Sequence, residues 1–194
     1  EYIGVKYAVM VNSGSSANLL AMSVLTNPAL KSKMKFGDEV ITPAMTWATT
    51  VFPIINVGAT PVLVDSDLGT YNISTTEIEK AITKKTRGIM PVHLLGHPCD
   101  MKRIMEISEE HDLFVVEDTC EAHGAECSGK KAGSYGDMAT FSFYPSHHIT
   151  TMEGGILVTD NDEYFEVSKV LRSNGWISDL KAKDEIIKMY PHID

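Results

Sequence analysis

The amino-acid sequence predicts an α/β domain, a mostly parallel seven-stranded sheet with helices on both faces. Two observations carry this expectation. Strand-like apolar runs alternate with segments of helical period from one end of the chain to the other. The run Leu113-Phe114-Val115-Val116 is apolar at every position, as a strand buried on both faces requires. With 194 residues and 43% hydrophobic side chains, the chain is long enough to bury one core. It contains no repeat, low-complexity segment or Pro/Gly-rich linker that would divide it.

Taken in order, Tyr7 to Val11 reads as the first strand. Ser15 to Leu25 follows a Ser/Gly turn and carries Ala17, Leu19, Leu20, Ala21 and Val24 at helical spacing. Val40-Ile41 is a short strand stopped by Pro43. Trp47 to Val57 suits a helix, and Thr60 to Val64 is a β-branched strand ending at Asp65. Thr75 to Ala81 is the next helix, with Ser74 three residues ahead of Glu77 as in a capping box. Gly88 to Val92 is a strand, a helix runs from about Asp100 to Glu110, and the strand from Leu113 ends on Glu117-Asp118. Met138 to Phe143 and Gly155 to Thr159 are two further strands, and Glu163 to Leu171 is the last helix. Parallel sheets bind ligands beyond the carboxyl ends of their strands. Asp118 and the turn from Ser142 to His147 both follow such an end and are expected to converge.

The formal net charge of −9, with lysines and arginines scattered, argues against a nucleic-acid partner, which would need a basic face. It does not argue against a nucleotide diphosphate, because backbone amides hold phosphate without net positive charge. Three cysteines with no CxxC pair suggest a reduced, cytoplasmic compartment and no disulfide framework. No apolar stretch reaches bilayer length, so no membrane association is expected. The opening residues do not resemble a signal peptide. Because a strand begins already at Tyr7, the chain reads as a fragment that starts inside a domain.

Four features can carry chemistry. Asn12-Ser13-Gly14-Ser15-Ser16-Ala17-Asn18 is a strand-to-helix turn of Gly and hydroxyl residues, either a phosphate cradle or an ordinary N-cap. No GxGxxG and no P-loop motif occurs. Glu117-Asp118 closes a buried strand, where a carboxylate needs a partner: a protonated heterocyclic nitrogen, a metal, or structural donors. The neighbours Asp118, Cys120, Glu121 and His123 match no common zinc spacing, so no metal is expected. Ser142 to Gly155 contains His147-His148 among Ser and Thr. Imidazole there is either a general base or a loop or core histidine. Trp47 is a core ring or a platform for a planar heterocycle.

In this order the motifs resemble the DegT/DnrJ/EryC1/StrS sugar aminotransferase family, whose members share the aspartate aminotransferase fold and use pyridoxal phosphate. The resemblance runs from about Tyr7 to Trp176. It rests on Ser13-Gly14-Ser15, on Pro91-Val92-His93-Leu94-Leu95-Gly96, and on Glu117-Asp118 followed by Ala122-His123-Gly124. Ser142 and Thr150-Thr151-Met152-Glu153-Gly154-Gly155 complete it. It implies that residues 1–194 are a cofactor-binding large domain lacking its extreme N-terminus and a C-terminal small domain. It also implies that Gly14, Ser15 and Ser142 hold the cofactor phosphate and that Asp118 pairs with the pyridine nitrogen.

Typical members carry a Schiff-base lysine five residues after that Ser. Here the position is His147, and no lysine stands at another motif position. This resembles the branch of pyridoxamine-phosphate-dependent 3-dehydratases of nucleotide-linked 4-keto-6-deoxy sugars, although Gly is usual where Ser146 stands. Trp47 and Glu121 fit that branch as ring-stacking and active-site residues. Arg172-Ser173-Asn174-Gly175-Trp176 resembles the wider family rather than the branch. The branch implies that His147 removes a proton as the C3 hydroxyl of the sugar leaves, in deoxysugar or surface-polysaccharide biosynthesis. It further implies an amino donor such as glutamate and a homodimer. The rival expectations are a sugar aminotransferase of the same family and a cofactor-binding regulator without activity.

Overall fold

Runs such as Val115-Val116 and Ile89-Met90 bury neighbouring side chains on opposite faces of one sheet, because successive residues of a strand point opposite ways. The computed structural model describes residues 2–177 and 183–184. Along the chain run β1 (Tyr7–Val11), α1 (Gly14–Leu25), β2 (Glu39–Pro43), α2 (Ala48–Asn56), β3 (Thr60–Val64), α3 (Thr75–Ala81) and β4 (Thr86–Ile89). They are followed by α4 (Met101–His111), β5 (Phe114–Asp118), the two-residue strands β6 (Glu126–Cys127) and β7 (Lys130–Lys131), β8 (Met138–Ser142), β9 (Gly155–Thr159) and α5 (Asp162–Arg172). Seven strands form one sheet in the order β1-β9-β8-β5-β4-β2-β3. β9 is antiparallel to both neighbours, and every other pairing is parallel. The expected mostly parallel seven-stranded sheet is thus present.

Two cores cover its faces. Leu20, Val24 and Leu25 of α1, Ile54 of α2 and Tyr164 of α5 pack with Val40, Met90, Val116 and Leu157. On the other face Ile78 of α3 and Met101, Ile104 and Ile107 of α4 pack with Ile41, Ile89 and Val115. Each fully buried aliphatic side chain of this kind contributes about 1.5–3 kcal/mol. A charge at Ile104 would lose that and leave an unpaired ion inside.

Several details depart from the sequence expectations. Ser74 precedes α3, but its hydroxyl makes no capping hydrogen bond, and Glu77 pairs with Lys80 instead, so no capping box forms. The strand expected at Gly88 to Val92 leaves the ladder after Ile89. Pro91 has no N–H to donate, and Val92 rejoins as a single bridge to Asp118. The β6–β7 hairpin was not expected. Ser128 and Gly129 form its loop with φ of 49° and 80°, the paired positive values of a tight hairpin turn. None of the described helices is long and apolar enough to cross a membrane.

Candidate active site

Parallel strands present their carboxyl ends along one edge of the sheet, so the segments after β1, β2, β4, β5 and β8 meet there. They enclose a cavity of about 590 Å³. Gly14, Ser15, Trp47, Asp118, Glu121, Ser142 and His147 all line it. All seven candidates named from sequence are therefore brought together, from positions as far apart as 14 and 147.

The acidic pair at the end of β5 divides by strand alternation. Glu117 is fully buried on the far side. Its Oε1 accepts from the amides of Tyr135 (2.7 Å) and Gly136 (2.8 Å), and its Oε2 from the amide of Gly133 (2.8 Å) and His93 Nε2 (3.0 Å). It is the structural carboxylate of the pair. Asp118, only 5% exposed, lies at the cavity. Its Oδ2 accepts from Asn18 Nδ2 and Thr50 Oγ1, both at 2.9 Å, and its Oδ1 from the Cys120 amide at 3.3 Å.

Asn18 and Thr50 escaped the sequence reading. The available signal was a polar residue inside a buried helical face, Ala17-Asn18 in α1 and Thr50 in α2. A backbone detail explains how Asn18 is held. Pro53 lies inside α2 and cannot donate to the carbonyl four residues back, Thr49. That carbonyl instead accepts from Asn18 Nδ2 at 3.1 Å, while Asn18 Oδ1 accepts from Thr140 Oγ1 at 2.5 Å. The proline thus frees an acceptor that aims the amide at Asp118.

At the N-terminus of α1 the Ser13 hydroxyl accepts from the Ser16 amide at 3.1 Å, so the N-cap is real. The cap leaves Gly14 and Ser15 at the cavity, with the unpaired first-turn amides that every α-helix has. A Cβ at Gly14 would lie 2.5 Å from Ser142 Cβ and 3.0 Å from Ser142 Oγ, so glycine is what lets helix and serine close on one another. Trp47, at the N-cap position of α2, is 76% exposed and is no core ring.

Adjacent histidines also part. His147 lines the cavity, its backbone amide bonded to the Tyr144 carbonyl at 3.0 Å and its ring edge-on to Tyr144. His148 turns away to pack beside Gly96 and the His123 ring. His123 sits between Phe141 and Phe143, and neither of its ring nitrogens has a hydrogen-bond partner. Burial, and then the neighbouring His148 and His147, push its imidazole below the ordinary value. Burial and the neighbouring Asp118 raise the Cys120 thiol well above its usual range, so it lines the wall as a neutral group. Asp118, Cys120, Glu121 and His123 do not gather into a metal-binding cluster. Among the described residues no such group occurs.

A model of the DegT/DnrJ/EryC1/StrS aminotransferase family matches residues 1–189. The chain belongs to this family. It is 48% identical over 186 residues to GDP-4-keto-6-deoxy-D-mannose 3-dehydratase of Yersinia pseudotuberculosis, covering 96% of this chain and 47% of that protein. It is 44% identical over 176 residues to GDP-perosamine synthase of Caulobacter vibrioides, covering 90% and 45%. The structure of E. coli GDP-4-keto-6-deoxy-D-mannose-3-dehydratase with bound hydrated PLP superposes with a TM-score of 0.88 at 43% identity, over 92% of this chain and 46% of that one. A structure of ColD with the same TM-score and coverage, at 42% identity, replaces a histidine by lysine and the serine just before it by asparagine. Its fold is that of the family's PLP-dependent enzymes, and the chain spans about half the length of the curated relatives it matches.

Proposed function

We propose that the chain is the cofactor-binding large domain of a pyridoxamine-phosphate-dependent 3-dehydratase acting on a nucleotide-linked 4-keto-6-deoxy sugar. One observation carries the choice of reaction. His147 lines the cavity, and no lysine is among the residues that do. The Ser146-His147 dipeptide occurs once in the chain. The adjacent serine and histidine altered in ColD are the same two residue types in the same order, which supports reading Ser146-His147 as the corresponding pair.

The residues fit the cofactor. Asp118 offers a buried carboxylate already oriented by three donors, which suits the protonated nitrogen of a pyridine ring. Gly14 and Ser15 at the start of α1 and Ser142 line the same cavity, and first-turn amides beside a hydroxyl suit a phosphate. Trp47 supplies an exposed aromatic face at the same cavity. When bound, pyridoxamine phosphate supplies an amine that condenses with a carbonyl and a ring that stabilises negative charge on the adjacent carbon.

The protein's part is to bind, orient and move a proton. Asp118 would hold the ring, Gly14, Ser15 and Ser142 would hold the phosphate, and Glu121 lines the wall. An imidazole nitrogen of His147 would accept the proton whose removal accompanies departure of the C3 hydroxyl. Unlike lysine, this imidazole cannot form a Schiff base, so it stays free to act as base throughout. A homodimer, an amino donor such as glutamate and a cytoplasmic location complete the proposal. The exposed Trp47, Tyr144 and Met152 support the first, and three free cysteines the last.

The test uses the full-length protein with pyridoxamine phosphate and a panel of nucleotide-linked 4-keto sugars. The expected result is loss of the C3 hydroxyl, reduced at least about 100-fold in His147→Asn. After borohydride treatment no cofactor should remain bound to lysine. Recovery of a reduced cofactor–lysine adduct would overturn it in favour of the aminotransferase reading, and unchanged turnover in His147→Asn would dismiss His147 as the base.

A further inference from the structure

Glu121 does not stand at the cavity unaided. Its Oε2 accepts from the Leu95 amide at 2.7 Å. Leu95 is the middle residue of a single 3-10 turn, Leu94–Gly96, and has φ +53°, a left-handed conformation that L side chains rarely adopt. Such a conformation persists only where the surroundings impose it. The next residue, Gly96 (φ +83°), is pressed so close to Glu121 that an added Cβ would lie 3.3 Å from the Glu121 carbonyl oxygen.

The group that imposes the turn comes from elsewhere in the fold. Asn72, 4% exposed in the connection between β3 and α3, bonds both ends of it. Asn72 Oδ1 accepts from the Leu94 amide at 3.1 Å, and Nδ2 donates to the His97 carbonyl at 2.9 Å. Those backbone partners fix which way the amide faces. Nδ2 therefore also donates to His97 Nδ1 at 3.0 Å, and the His97 ring must carry its proton on Nε2. Asn72 is held in turn, since its carbonyl accepts from the Asp67 amide at 2.9 Å.

We infer that Asn72 is a positioning residue for Glu121: it clamps the 94–97 turn, and the Leu95 amide of that turn holds the Glu121 carboxylate at the cavity. The inference rests on the proposed role of Glu121 in the active site. Asn72 itself lies outside the cavity lining, so it acts through the turn. Gly96 also packs against the His148 ring, so the same clamp borders the loop that carries His147.

A double-mutant cycle on the full-length enzyme tests this, with kcat and KM measured for Asn72→Ala, Glu121→Gln and the pair. Asn72→Ala should lower kcat about 10-fold while KM changes less than about twofold. The double variant should be no slower than Glu121→Gln alone, because Asn72 acts on turnover only through the carboxylate that Glu121→Gln already removes. Amide exchange of Leu95 should quicken about 10-fold in Asn72→Ala, while β4 and β5 keep their protection.

Losses that multiply in the double variant, or a wild-type kcat in Asn72→Ala beside an impaired Glu121→Gln, would overturn the inference alone. A wild-type kcat in Glu121→Gln would instead remove the role of Glu121 and the inference with it. If Asn72→Ala does not fold, Asn72→Asp takes its place in the same cycle. It keeps the acceptor for the Leu94 amide and loses both donors to His97, and the same outcomes decide.

Discussion

Asn18 donates to Asp118 across 100 positions of sequence, and the two share a cluster with Thr50 and Thr140 that ties α1, α2, β5 and β8 together beneath the cavity. Because two donors converge on one carboxylate oxygen, loss of one leaves the other in place. Asn18→Leu leaves the Thr50 bond and should weaken pyridoxamine phosphate binding by about 10-fold. Asp118→Asn removes the charge itself and should weaken it by about 100-fold. Equilibrium titration of the cofactor's absorbance checks both, and equal affinities for wild type and Asp118→Asn would remove Asp118 from the site.

Gly14 tests the phosphate cradle by sterics alone. In Gly14→Ala the new methyl meets Ser142 Cβ at 2.5 Å, and overpacking of this kind costs about 1–3 kcal/mol. Cofactor affinity and thermal stability should both fall. Ser142→Ala creates no clash and removes only the acceptor of the Tyr144 amide, so it should weaken cofactor binding while lowering the melting temperature less than Gly14→Ala does. A Gly14→Ala protein that binds cofactor like wild type would place the phosphate elsewhere.

Glu117 is expected to matter for folding rather than binding. Replacing it by Ala leaves the amides of Gly133, Tyr135 and Gly136 and the His93 ring without their buried acceptor. Stability should drop by about 3 kcal/mol or more, read as a lower denaturant midpoint. A variant as stable as wild type would show that water or a neighbour replaces all four bonds.

His123 makes a signed prediction about pH. Its folded-state pKa lies below the ordinary value of 6.5, through burial first and then through His148 and His147. The unfolded chain therefore takes up its proton first as the pH falls. The stability contributed by neutral His123 is present above 6.5 and is lost as the pH falls through the lowered folded value. His123→Phe cannot take up that proton, and its melting temperature should fall less than that of wild type between about pH 7 and pH 5. Parallel curves for the two proteins would contradict the assignment.

Much of the fold was legible because it follows from period and punctuation. The β1 span of Tyr7 to Val11, the helix to Leu25 and the 75–81 helix were read to within a residue at each end, since their apolar spacing and flanking Gly, Pro and Ser are local signals. The capping box at Ser74 failed because a hydroxyl's partner depends on where the incoming chain lies, which spacing does not encode. Asn18 was missed for a similar reason. Its acceptors, the Thr49 carbonyl and Asp118, come from other elements, and one of them is free only because Pro53 interrupts a helix bond.

The motif residues, from Gly14 to His147, were picked out before any coordinate by the resemblance of their motifs to the family's, whereas residue chemistry alone left each of them a structural alternative. Sequence could not separate near neighbours. Glu117 and Asp118 are both carboxylates, and His147 and His148 both imidazoles, yet one of each pair lines the cavity and the other packs away from it. Strand alternation guarantees that Glu117 and Asp118 face opposite ways. Which side holds the cavity is decided by the sheet order and by the segments folded over each face, and those are long-range contacts no local pattern records.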